Sequence, residues 1–135
     1  MSEKEEEFVG IKDNIPGMLD FIVSFANEHG FPESFTNKML IVGDELFSNI
    51  IRYGYENSGG RITVKLSFDK ENKEFCLIII DQAKEFNQLS INNDNAEKKV
   101  LRIGGLGISI VKHIMSECSY QRVDGQNVLT LKKGF

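Results

Sequence analysis

Three stretches of this sequence carry residue types that can do chemistry. Glu45 and Asn49 stand four apart inside Met39 to Tyr55. Asp81 abruptly ends the apolar run Phe75 to Ile80, and Gly104-Gly105-Leu106-Gly107 leads into a segment of helical periodicity. On a helix, side chains at i and i+4 lie one above the other. Met39, Val42, Leu46 and Ile50 make an apolar stripe, with the carboxylate and the amide at its edge. Polar groups at the margin of a core need partners, because an unpaired buried one costs roughly 1–3 kcal/mol. On spacing alone, the simpler reading is a surface pair that satisfies itself. Glycines ahead of a helix let an anion approach its unpaired N–H groups, which favours phosphate. Taken alone they are equally a flexible loop end.

The surrounding elements can be read in order. Residues 1–7 are acidic and read as a solvated tail, with a short first strand from Glu6 to Ile11. Asn14 suits an N-cap with Pro16 in the first turn, and a helix follows to about His29, presenting Met18, Ile22 and Phe25 on one face. Gly30 stops it, and His29 suits the negative end of the helix dipole. Pro32 opens the helix that carries Glu45 and Asn49 and frays near Gly54 to Gly60. Arg61 to Asp69 alternates as a half-buried strand, and Phe75 to Ile80 reads as a central one. Residues 82–103 form a long loop, the kind that often serves as a lid. A helix from Ile108 to about Glu117 precedes a hairpin turning at Asp124-Gly125, with strands Tyr120 to Val123 and Asn127 to Lys132. The expected fold is α+β, a two-layer sandwich with a mixed or antiparallel sheet and helices on one face, in a single domain spanning 1–135.

Composition narrows the function classes. A net charge of −4 argues against a nucleic-acid surface, since phosphate contacts draw on a Lys and Arg excess. No apolar run approaches the roughly 20 residues of a membrane span, and no signal-like segment follows the acidic start, so a cytoplasmic protein is expected. Cys76 and Cys118 read as reduced packing residues, with no metal-ligand spacing to His29 or His113. Lys98, Lys99 and Arg102 form the clearest basic patch. Phe21, Phe25, Phe31 and Phe35 read as core, with an interface as the alternative.

Two familiar phosphate motifs are ruled out. No Gly-x-x-x-x-Gly-Lys-Ser/Thr run occurs, and the glycines stand more than twenty residues past the strand end, unlike a dinucleotide fingerprint. The His-Arg-Asp and Asp-Phe-Gly pair of the common protein kinases is also missing. In their order, the three stretches resemble the N, G1 and G2 boxes of the GHKL ATPases, and within them the anti-sigma-factor serine-protein kinases. Glu45-Leu46-Phe47-Ser48-Asn49 with Gly54-Tyr55 matches the N box. Asp81 with Phe86, Asn87 and Leu89 follows the G1 pattern Asp-x-Gly-x-x-Phe-Asp-x-Leu, and Gly104-Gly105-Leu106-Gly107-Ile108 matches G2. The likeness spans roughly residues 15–132.

The resemblance implies the Bergerat ATP-binding fold, with ATP and Mg²⁺ as ligands. Asn49 would coordinate Mg²⁺, Asp81 would accept from the adenine amino group, and Ala83, Gly104, Gly105, Leu106 and Gly107 would line the nucleotide. Backbone N–H groups of Gly105 and Gly107 would hold phosphate oxygens, and Glu45 would be the general base for a partner's serine. Residues 82–103 would be the ATP lid, bringing Lys98, Lys99 or Arg102 to the phosphates. A sigma factor and a small STAS-type anti-anti-sigma protein would be the partners, and a homodimer the assembly. Three positions depart from the pattern: Ala83 replaces the G1 glycine beside the adenine pocket, Asn87 an aspartate, and Tyr53 a frequent histidine. The alternative is an ATP-dependent binding module without phosphotransfer. A detached histidine-kinase ATPase half ranks lower, since neither His29 nor His113 is followed by an acidic residue. A ligand-free structural protein comes last, because it leaves residues 45, 49 and 81 unexplained.

Overall fold

The computed structural model describes residues 1–91 and 103–135, with 103–106 described in their backbone alone. Five strands, β1 (Ser2–Val9), β2 (Arg61–Asp69), β3 (Glu74–Asp81), β4 (Glu117–Val123) and β5 (Gln126–Gly134), form one antiparallel sheet in the order β1-β2-β3-β5-β4. Among the described residues, three helices, α1 (Ile15–Glu28), α2 (Glu33–Asn49) and α3 (Ile103–Ile114), complete an α+β fold.

Strand alternation decides where the core sits. Ile62, Val64 and Leu66 of β2, Phe75, Leu77 and Ile79 of β3, and Leu129 and Leu131 of β5 are buried, while the residues between them are half-buried. Against that face pack Met18, Ile22 and Phe25 of α1, Met39, Val42 and Leu46 of α2, and Ile108 and Val111 of α3. Phe25 and Phe35 belong to this core, with Phe21 and Phe31 packed partly buried against it. Phe31 also sits 4.8 Å from the ring of Phe68 and 4.7 Å from that of Phe135.

α1 ends as the sequence suggests, with Gly30 at φ +68° and His29 Nδ1 2.8 Å from the Phe25 carbonyl. Asn14 occupies the N-cap position but uses its side chain elsewhere, donating to the Val9 carbonyl at 2.9 Å. Asp124 at φ 49° and Gly125 at φ 78° make the turn between β4 and β5, which suits the type I′ hairpin.

Four expectations need correction. The acidic start is no free tail, because Ser2–Val9 pairs along its whole length with β2. Glu5 faces Lys65 at 3.7 Å and Glu7 reaches Arg61 at 3.7 Å, and Phe8 packs partly buried against the core. Exposed ion pairs of this kind add little, so the ladder and Phe8 hold the strand; the charge hid its pairing from a composition-based reading. α3 begins at Ile103 and not at Ile108, which places the glycines inside its first turns. It ends at Ile114, and Glu117 already belongs to β4. The loop after Asp81 starts as packed structure, with Ala83, Gln88 and Leu89 buried and a 3₁₀ turn at Gln88–Ser90. Residues 92–102 of the expected lid, including Lys98, Lys99 and Arg102, lie outside the described residues.

Candidate functional site

α2 delivers Glu45 and Asn49 from its last two turns, and its end is unusual. Beyond Asn49 the chain widens into a π turn over Ile50–Gly54, closed by the Tyr55 N–H donating to the Ile50 carbonyl at 2.8 Å. Such widened turns are uncommon and recur at functional sites. Tyr55 then ties the helix end to the end of β3: its hydroxyl accepts from the Gln82 N–H at 2.7 Å and donates to the Arg61 carbonyl at 2.5 Å. A side chain at Gly60 would collide with the Tyr55 ring, so glycine there is what admits the ring.

Within this frame the Asn49 amide nitrogen donates to Glu45 Oε2 at 2.7 Å and to Gln88 Oε1 at 3.0 Å. Gln88 in turn donates through Nε2 to the Leu46 carbonyl at 3.2 Å. Asn49 is only 3 % exposed and Gln88 1 %. The Glu45 carboxylate rests against the backbone of Gly107, where a Cβ would overlap it. Gly107 is the fifth residue of α3, past the four N–H groups that a helix leaves unpaired. Its lack of a side chain is therefore what lets α3 approach the carboxylate. Gly104 and Gly105 lie in the first turn.

Asp81 occupies the end of the buried face of β3, paired in register with Ile62 on one side and Asn127 on the other. Its Oδ1 accepts from the Ala83 N–H at 3.0 Å and from Asn127 Nδ2 at 2.8 Å. Among the described residues nothing donates to its Oδ2. Asn127 is a hub: Nδ2 also reaches the Lys84 carbonyl at 2.9 Å, and Oδ1 accepts from the Phe86 N–H, the Tyr120 hydroxyl and Arg122. Arg122 further holds the Ala83 carbonyl at 2.8 Å.

The structure thus brings both Asn49 and Gly107 into contact with Glu45. Asp81 joins them through the segment that follows it, by way of Gln88 on Asn49 and Ala83 against Gly54. The Ala83 methyl lies toward Gly54, where a Cβ on the glycine would stand 3.2 Å away, and Ala83 needs no left-handed backbone. Tyr53 is exposed and packs edge-on to Phe86 with ring centroids 6.3 Å apart. Asn87 caps its own turn, accepting from the Leu89 N–H at 3.0 Å.

The comparisons with known proteins bear on this arrangement. The pattern of the histidine kinase-like ATPase domain matches residues 11–133. The chain belongs to this family. Among its relatives, serine-protein kinase RsbW of Bacillus mycoides is 23 % identical over 140 residues, covering 94 % of this chain and 86 % of the relative. RsbW of Staphylococcus epidermidis is 24 % identical over 98 residues, 68 % of this chain and 62 % of its own length. Serine/threonine-protein kinase BtrW of Bordetella bronchiseptica is 28 % identical over 100 residues, 69 % of this chain and 66 % of the relative. In fold, the chain is similar to a chain in the SiaB–SiaC complex of Pseudomonas aeruginosa, with a TM-score of 0.61 at 15 % identity over 96 % of this chain and 88 % of the other. Among the described residues no helix is long and apolar enough to cross a membrane.

Two carboxylates of this ATPase domain have their pKa values pushed up. Burial raises Glu45, opposed by its bond to Asn49, with Asp44 adding to the rise and Arg52 reducing it. Burial also raises Asp81, against the lowering effects of Asn127, the Ala83 N–H and Arg122. For Asp81 the folded state therefore binds its proton more tightly than the unfolded state does. Stability falls as pH rises through the raised folded pKa, and at neutral pH the ionised group is a cost. Asp81→Asn keeps an oxygen for Ala83 and Asn127 without the charge. Thermal unfolding should show a higher melting temperature than the parent at neutral pH, with the gain shrinking as the pH is lowered through the Asp81 titration. A variant that is less stable at neutral pH would show that the charge is not the cost.

Gln88 and Asn127 were not singled out from the sequence. For Asn127 a signal exists, since it shares strand parity with Leu129 and Leu131 and so must face the core. Gln88 carries none, because it sits in an irregular segment.

Proposed function

We propose that this chain binds Mg-ATP and phosphorylates a serine of a small anti-anti-sigma protein while sequestering a sigma factor. The observation that carries the reading is Glu45: a carboxylate raised by burial, held by Asn49 and resting against the Gly107 backbone of α3. An acid raised toward neutrality is suited to accept a proton at working pH. The names of the RsbW and BtrW relatives support kinase chemistry on serine.

The remaining donors fit the ligands. With its nitrogen occupied by Glu45 and Gln88, Asn49 offers Oδ1 to a hard cation, and Mg²⁺ takes one or two protein oxygens besides phosphates and water. Asp81 has Oδ2 for the adenine amino group. First-turn N–H groups around Gly104, Gly105 and Leu106 suit phosphate oxygens. Bound Mg²⁺ would supply neutralisation of the charge on the phosphates. The chain's own residues place the nucleotide, and Glu45 takes the serine proton as the serine oxygen bonds to the γ-phosphorus and ADP leaves.

Titration calorimetry with ATP and Mg²⁺, followed by labelled γ-phosphate transfer to purified candidate partners encoded nearby, tests the proposal. Saturable Mg-dependent binding of ATP but not GTP, and a label stable as phosphoserine, are expected. No ATP binding would overturn it; ATP binding without transfer to any partner would favour the binding-module alternative.

A further inference from the structure

An asparagine amide is nearly the same shape with its oxygen and nitrogen exchanged, yet only one orientation can face a cation. Something must therefore decide which end of Asn49 points where. We propose that Gln88 is the positioning residue that makes this decision, turning the Asn49 oxygen toward the nucleotide-bound cation. The inference rests on the reading of Asn49 as the cation ligand given above.

The argument starts from a group whose polarity is not in question. The Leu46 carbonyl accepts and never donates, so the end of Gln88 that lies 3.2 Å from it is the nitrogen. The opposite end of Gln88, facing Asn49 at 3.0 Å, is then the oxygen. An acceptor there requires the Asn49 nitrogen, which leaves Asn49 Oδ1 turned away from both neighbours. The chain of donors is anchored at a backbone carbonyl and passes through two amides, neither of which titrates.

Glu45 supports the same orientation, since its Oε2 also accepts from the Asn49 nitrogen at 2.7 Å. That support is conditional, because a protonated Glu45 is able to donate as well as accept. Gln88 keeps the direction whatever the charge of the base. Its own place is secured by burial and by the 3₁₀ turn Gln88–Ser90, capped by Asn87. The Leu46 carbonyl it grips also accepts from the Ile50 N–H, where α2 gives way to the π turn. Gln88 therefore links the segment after β3 to the helix that carries both site residues, 39 positions from Asn49 and 42 from Leu46.

The test uses the full chain and titration calorimetry of ATP with and without Mg²⁺, on the parent and on Gln88→Leu, Gln88→Glu and Asn49→Ala. Removing a group that orients a metal ligand typically weakens metal affinity by about 10–100-fold. Gln88→Leu should lose Mg²⁺-dependent affinity by that factor and keep its metal-free ATP affinity within about threefold, well short of that metal-specific loss. Gln88→Glu still presents an oxygen to Asn49 but sets a second oxygen against the Leu46 carbonyl, so it should recover the loss only where its carboxyl is protonated and donates there. If Asn49→Ala loses the Mg²⁺ dependence while Gln88→Leu retains it, the positioning role is overturned and the ligand assignment stands. If Asn49→Ala retains it, the ligand assignment falls and this inference falls with it. Equal loss of metal-free and Mg²⁺-dependent binding in Gln88→Leu would show a merely structural residue.

Discussion

Glu45→Ala is expected to slow phosphoryl transfer to the partner by about 10²–10⁴-fold, the range for a lost general base. Mg-ATP affinity should change little, because the donors proposed for the nucleotide lie elsewhere. The truncation removes one of two acceptors for the Asn49 nitrogen, and Gln88 still holds the other hydrogen. It also vacates the contact with Gly107 without forcing α3 to move. Single-turnover transfer beside a binding titration separates the two effects. A variant that transfers at the parent rate would remove Glu45 from the chemistry. With burial raising the Glu45 pKa, the parent rate should fall on acidification at a pH above the ordinary carboxylate range.

Asn127→Ala should be the most destabilising single change among the site residues. The side chain satisfies Asp81 Oδ1, the Lys84 carbonyl, the Phe86 N–H and the Tyr120 hydroxyl at once, and it is 2 % exposed. Each buried polar group left unpaired costs roughly 1–3 kcal/mol, so a combined loss of about 3 kcal/mol or more is expected. Denaturant unfolding measures it directly. Asp81 also loses a bond that favours its charged form, so its pKa should climb further. Because that carboxylate is the proposed adenine contact, selectivity for ATP over GTP should weaken in whatever fraction remains folded. A loss below about 0.5 kcal/mol, the usual bound for a surface substitution, would mean that water replaces the hub.

Much of this was legible from residue patterns. Alternation in Arg61 to Asp69, the apolar run ending at Asp81, helical periodicity around Met39, Val42 and Leu46, and the Asp124-Gly125 turn are local signals, and each element stands where they point. β1 escaped because its stability comes from pairing with β2 and from one phenylalanine, while its composition is that of a solvated segment. The start of α3 escaped because three glycines in four positions argue locally against a helix, whereas packing of Ile108 and Val111 against the core favours one.

From its residues alone, then, this chain determined its family likeness, its α+β order of elements and the candidate roles of Glu45, Asn49 and Asp81. Local spacing and strand parity are written directly in a sequence, and the motifs need nothing more. Only the tertiary structure decided that Gln88 grips Asn49 across 39 positions, that Asn127 meets Asp81 across 46, and that Gly107 opens a space for Glu45. These contacts depend on sheet register and on how two helices approach each other. Such quantities emerge when the whole core packs, and no local window of residues contains them.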